Sequence, residues 1–100
     1  MKYWLHPEAE EDLREAAGHY RERAGSSLSQ SLFTEFERSV NVVLQHPGLG
    51  ALWRHGKRRY IMRRFPYSLI YTIVAEEIRI LAVAHHSRRP GYWRRRSPKR

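Results

Sequence analysis

One hundred residues make a single domain, 1–100, large enough for a modest core, and the lack of any cysteine excludes a disulfide framework and a thiolate metal site. The formal charge of +9 is segregated: residues 1–50 carry five Lys/Arg against eight Asp/Glu, a net of −3, while residues 51–100 carry fourteen against two, a net of +12. A field this lopsided goes beyond what solubility needs and attracts polyanions, whether nucleic acid or an acidic protein segment.

In chain order, Lys2 to His6 reads as a short strand, with Tyr3 and Leu5 on one side and Trp4 on the other. Pro7 and four acidic residues by Asp12 follow too soon for a signal peptide, and no apolar run approaches the roughly 18 residues of a membrane span. A cytoplasmic protein with no membrane association is the expectation. Pro7 suits the first helical position, and Glu8, Glu10, Glu11 and Asp12 suit the positive end of the helix dipole. Ala9, Leu13, Ala16, Ala17, Tyr20 and Ala24 then form one narrow apolar stripe, and Gly25 is a stop signal. Ser27 with Gln30 has capping-box spacing for a second helix. Leu28, Leu32, Phe36, Val40 and Val43 share its apolar face, widened by Phe33 and Leu44, and His46-Pro47-Gly48 ends it. The acidic residues of both helices, Glu35 among them, read as solvated faces. The two helices predict an antiparallel hairpin whose apolar side covers a sheet.

Gly48 to Gly56 reads as a loop holding Trp53, and Lys57 to Arg64 as a charged edge strand that bends at Phe65-Pro66. From Tyr67 to His86 nearly every residue is apolar or β-branched, broken at Ala75-Glu76-Glu77, which predicts a central hairpin. Tyr67, Leu69, Tyr71 and Ile73 share one face. After the break, Ile78, Ile80, Ala82 and Ala84 oppose Arg79, Leu81, Val83 and His85. His85 and His86 therefore point apart, and with no third ligand at suitable spacing no metal site is expected, nor any cofactor. Tyr60, Tyr67, Tyr71, Trp4 and Trp53 read as packing residues, His85 as a residue closing the sheet end, and Trp93 as a C-terminal anchor. Arg63, Arg64, His86, Arg88, Arg89, Tyr92, Arg94, Arg95 and Arg96 are the candidate target or partner contacts, since guanidinium forks beside aromatic faces suit phosphate and base contact or an acidic segment. Ser97 to Arg100 reads as a short, frayed basic tail.

The order strand, helix, helix, then three strands resembles the ParE/RelE superfamily of toxins from type II toxin–antitoxin systems, and the ParE branch more than the RelE branch. The resemblance is carried by Phe65-Pro66-Tyr67 with Tyr71, by Ile80-Leu81-Ala82-Val83, and by His85 through Trp93, with His6-Pro7-Glu8-Ala9 and Leu13 as a weaker match. It implies an α+β fold, with an N-terminal strand and a two-helix antiparallel hairpin packed on a small antiparallel sheet of three or four strands. It also implies a cognate antitoxin with an acidic segment, a hetero-oligomer with that antitoxin, and growth arrest by binding DNA gyrase without a catalytic centre. The alternative is a RelE-like ribosome-dependent mRNA endoribonuclease using His86, Arg63 and Tyr92. By register on Tyr67, Ser68 stands where RelE-type enzymes carry arginine and Ile61 where they carry lysine, although Arg59 keeps a second basic position. Cleavage beside a 2′-hydroxyl needs a base, an acid and a cation. That set is incomplete here, so a non-enzymatic toxin is the primary reading. A plain nucleic-acid-binding module, or a toxin without activity, is the third.

Overall fold

The computed structural model describes residues 1–99. The chain runs β1 (Lys2–Leu5), α1 (Pro7–Ala24), α2 (Ser26–Gln45), β2 (Ala51–Leu52), a 3-10 turn at Arg54–Gly56, β3 (Arg58–Ile61), β4 (Tyr67–Val74) and β5 (Glu77–His85). The strands form one sheet in the order β1-β5-β4-β3-β2. The helical hairpin covers one face, and the segment after β5 folds over the other. No helix among the described residues is long and apolar enough to cross a membrane.

The sheet has five strands rather than three or four, and it is mixed rather than antiparallel, because β1 runs parallel to β5. Two helices and three strands separate those partners, so no tight turn dictates their direction. The extra strand, β2, is two residues long, too short for any alternation to show. It forms because Trp53 N–H donates to the Lys57 carbonyl at 2.7 Å, folding Ala51 and Leu52 back on Arg59 and Arg58.

At the start of α1 Pro7 occupies the first turn, and the His6 side chain accepts from Glu8 N–H at 3.0 Å. Ala9, Leu13, Ala16 and Ala17 are buried as the stripe requires, whereas Ala24 is exposed. Gly25, at φ 88°, serves as both the end of α1 and the start of α2, so one residue reverses the chain. The capping box does not form: α2 begins at Ser26 without a side-chain cap, and Ser31 Oγ bonds back to the Ser27 carbonyl. The buried face of α2 is Leu32, Phe36, Val40 and Val43 together with Ser39 and Glu35. Phe33 lies outside it and is exposed, so the stripe widens toward Glu35 instead. Glu35 is therefore not on a solvated face.

The predicted alternation along β5 fails at one point. Ile70 pairs with Ala82, but Tyr71 pairs with Ile80, leaving Leu81 as an extra residue in a bulge. Ile78 and Ile80 pack under the helices with Leu69 and Tyr71, and after the bulge it is Val83 that continues that core. Ala82 turns to the opposite face, where it meets Ile70 and Trp93. Gly50 is fixed by close approach: its N–H donates to the Tyr71 hydroxyl at 2.9 Å, and a Cβ there would lie 2.7 Å from that oxygen.

Candidate functional site

Sheet register brings two basic segments to one end of the molecule. Tyr67 pairs with His85, Met62 N–H donates to the Tyr67 carbonyl, and His86 N–H donates to the Pro66 carbonyl at 2.8 Å. The β3–β4 turn carrying Arg63 and Arg64 is thereby laced to the exit of β5 carrying His86, Arg88 and Arg89. All five of these side chains are exposed. None of the four arginines is ion-paired among the described residues.

Buried Glu35 holds the turn in place. Its carboxylate accepts the Arg63 backbone N–H at 2.6 Å, two bonds from Arg38 at 2.7 Å, and the Ser39 hydroxyl at 3.2 Å. The Arg38 hydrogen bond outweighs burial and holds the Glu35 carboxyl below its ordinary range. Arg38 also reaches the Tyr60 hydroxyl at 3.1 Å. Between buried Met62 and Phe65, Arg64 adopts φ 69°, a left-handed conformation costly for a non-glycine residue. Its guanidinium stands over the Phe65 ring at 5.7 Å.

On the face away from the helices, β3, β4 and the loop after β5 enclose a cleft of about 160 Å³. Ser68, Ile70 and Ala84 line its sheet side, and Trp53, Arg59, His86 and residues 88–93 surround it, with no carboxylate in the lining. Arg59 Nε donates to Ser68 Oγ at 3.1 Å, and Ser68 Oγ lies 2.9 Å from His86 Nε2. Burial first, then the Arg59 charge, depresses the His86 pKa below 6.5, only partly offset by a hydrogen bond with the Tyr67 backbone. At neutral pH the imidazole is therefore neutral, and the Ser68 hydroxyl bridges a cation and a neutral ring. Trp53 and Trp93 pack with centroids 4.8 Å apart. His85, on the other side of β5, accepts from Ser87 N–H and sits edge-on to Tyr67 at 4.9 Å, closing the sheet end.

Beyond Ile80, β1 no longer covers β5, and the exposed ladder is taken over by side chains. Asp12 Oδ2 accepts Val83 N–H at 3.1 Å, and Arg96 Nη1 donates to the Leu81 carbonyl at 2.9 Å. Asp12 and Arg96 are joined to each other at 2.6 Å, with side-chain exposures of 8% and 12%. Burial alone pulls the Arg96 pKa down, but the Asp12 hydrogen bond and charge more than reverse this. The Tyr92 hydroxyl also donates to Asp12 at 3.2 Å, while its ring lies 3.9 Å from the Arg88 guanidinium and 5.1 Å from that of Arg96. Burial and the Asp12 charge push the Tyr92 phenol up to about 12. The chain then turns at Trp93, 4% exposed, and the Pro98 carbonyl accepts from Arg79 at 2.6 Å. Arg100, the last residue of the predicted frayed tail, lies outside the described residues.

The model of the family described as "ParE toxin of type II toxin-antitoxin system, parDE" matches residues 3–90. The chain belongs to the ParE toxin family. Its fold is also that of a solved structure of the chromosomal ParDE TA system from P. aeruginosa, at 23% identity and a TM-score of 0.76, over 85% of this chain and 95% of that one. No curated protein matches the chain. As a ParE toxin it is one half of a toxin–antitoxin pair, and an antitoxin is its implied partner.

Of the sequence-predicted contacts, Arg63, Arg64, His86, Arg88 and Arg89 gather at one sheet end, and Arg94 and Arg95 stay exposed in the turns beyond Trp93. Arg96 is the correction: it sits in an ion pair with Asp12 and lies 3.4 Å from Glu8, so α1 consumes its charge. Tyr92 is held by the same carboxylate. The Tyr92 phenol bonds Asp12, the His86 ring bonds Ser68, and Arg63 is held through its backbone by Glu35, so each candidate nuclease group is engaged by a different partner, although His86 and Tyr92 line the same cleft. Trp93 is the anchor that the sequence predicts. Sequence reasoning missed Trp53, Ser68 and Arg59 as cleft residues, and Asp12 and Glu35 as the carboxylates that set the loops. The available signals were Ser68, a small polar residue in an apolar strand, and Glu35, three positions after Leu32 on the buried face.

Proposed function

We propose that this ParE toxin arrests growth by gripping DNA gyrase with the cationic rim formed by Arg63, Arg64, Arg88 and Arg89, extended by His86 and by Arg94 and Arg95 on the C-terminal segment. A cognate antitoxin neutralises it by laying an acidic segment across the same rim. The observation that carries the reading is that Arg63, Arg64, Arg88 and Arg89 converge from two loops on one end of the sheet, exposed and without an ion pair among the described residues, whereas of the candidate arginines it is Arg96 that is tied to α1. An unpaired cationic rim steers and orients a macromolecular partner at little folding cost. The engagement of His86, Arg63 and Tyr92 by three separate partners, with a phenol too weakly acidic to act as a base near neutral pH, favours a binding toxin over a nuclease.

Purified protein added to a gyrase supercoiling reaction, beside a translation reaction in which messenger RNA ends are mapped, separates the two targets. Inhibited supercoiling with intact messages is expected. Cut messages with normal supercoiling would overturn the gyrase reading. Adding the product of the neighbouring reading frame restores supercoiling if that product is the antitoxin.

A further inference from the structure

The cleft on the open face of the sheet has a chemistry that gripping a protein surface does not require. Its cationic side chains come from separate segments: Arg59 from β3, and Arg88 and Arg89 from the loop after β5. The Ser68 hydroxyl and the His86 imidazole sit at its inner edge, joined in one hydrogen-bonded chain that orients Arg59. The groups acting on His86 are Arg59, Ser68, the Tyr67 backbone and His85, and none can supply a negative charge. Three guanidinia around a concave site without a counter-ion create a positive potential that an anion relieves. A carboxylate offers two oxygens, whereas a phosphate monoester offers three terminal oxygens and nearly two charges, the better match to three guanidinium groups on two segments. The other half of the lining is apolar or aromatic: Ile70, Ala84, Trp53 and Pro90. Flat apolar walls beside a cationic edge suit a base or sugar attached to that phosphate.

We propose that this cleft binds a phosphate monoester carried on a nucleotide, with the phosphate on Arg59, Arg88 and Arg89 and the nucleoside against Trp53 and Pro90. The cleft shares Arg88, Arg89 and His86 with the rim of the gyrase reading, but Arg59 and Trp53 belong to the cleft alone, and the ligand needs no macromolecular target. Gly91, at φ 80°, lets the Arg88–Trp93 loop lie against Trp53, where an added Cβ would be 3.4 Å from the ring.

The test is a titration of the whole chain with 5′-AMP, inorganic phosphate and adenosine at about 0.15 M salt, where nonspecific surface attraction is screened. Chemical shifts of the His86 ring and the Trp53 indole report the site. Saturable binding of 5′-AMP is expected, with adenosine at least tenfold weaker and inorganic phosphate in between. Arg59→Gln and Arg88→Gln each weaken 5′-AMP at least tenfold, and Arg88→Gln alone decides the matter if Arg59→Gln disturbs β3. Arg23→Gln, at the far end of α1, leaves it unchanged. Oligonucleotides with and without a 5′-phosphate distinguish a free nucleotide from a nucleic-acid end as the source. Equal binding of adenosine and 5′-AMP, an equal loss in Arg23→Gln, or saturation by an acidic peptide in the absence of 5′-AMP binding would each overturn the proposal.

Discussion

Asp12→Ala should be the most destabilising single substitution on α1, although Asp12 belongs to no apolar stripe. Its carboxylate takes four hydrogen bonds: from Val83 N–H, the Tyr92 hydroxyl and both terminal nitrogens of Arg96. Removing it leaves a guanidinium that is only 12% exposed with exposed Glu8 and the Leu81 carbonyl as its remaining partners, and leaves the bulged strand with an unpaired N–H. Breaking one side of a buried ion pair costs about 3–5 kcal/mol, and an orphaned buried donor about 1–3 kcal/mol. The two overlap, because Tyr92 and Arg96 also hold each other, so a combined loss of about 4 kcal/mol is expected. Asp12→Asn keeps an acceptor for Val83 and should lose less. Asp12→Ala with Arg96→Met removes both charges and should recover a large part of the loss, since a hydrophobic replacement of a buried pair is often near neutral. Urea unfolding of the four proteins completes a double-mutant cycle, and protease cutting after Arg94 and Arg95 reports release of the C-terminal segment. A loss below about 1 kcal/mol for Asp12→Ala, or additive effects of the two substitutions, would refute the view that this pair replaces the missing strand beside β5.

Four further outcomes follow from the geometry. The folded pKa of Glu35 lies below its unfolded value near 4.5, so the native state holds fewer protons; its contribution is complete above that value and is lost as pH falls through the lower folded value. Glu35→Gln should be less stable at neutral pH and lose less on acidification, as measured by unfolding at pH 7 and pH 3. His86 should titrate below 6.5 by NMR, and Arg59→Gln should move that midpoint upward by removing the second of its two main depressing influences. Ala75 stands at φ 55° in the two-residue β4–β5 turn, and Ala75→Gly should stabilise by up to about 1 kcal/mol, the left-handed penalty less the entropy of glycine. Gly50→Ala should cost about 1–3 kcal/mol by driving a methyl into Tyr71, visible as a lower melting temperature.

Periodicity carried most of the architecture. The helix stripes, Pro7, Gly25 and the Tyr67–His85 hairpin were all legible because each obeys a local rule. The bulge at Leu81 was not, because Ile80 through Ala84 are all apolar and a run apolar on both faces carries no phase for the alternation to lose. Glu35 misled because a lone carboxylate on a helix is usually solvated; its partners are Arg38, one turn away, and a loop 28 residues on. Arg96 misled for the same reason at longer range, since its partner Asp12 lies 84 residues earlier. The basic end of the sheet was legible as composition, but composition could not show which arginines are free. Ser68 illustrates the limit. Read as a missing arginine it weakened the nuclease case, whereas in the fold it is the hydroxyl that ties Arg59 to His86.

The central claim is that unpaired charge at one sheet end makes the toxin. Its most direct test is gyrase inhibition by the Arg63→Gln/Arg64→Gln/Arg88→Gln/Arg89→Gln variant, checked by circular dichroism to be folded. The account predicts that supercoiling proceeds normally in its presence, while Arg21→Gln/Arg23→Gln, which removes two exposed charges from the end of α1, inhibits as the native chain does. Full inhibition by the fourfold variant would contradict it.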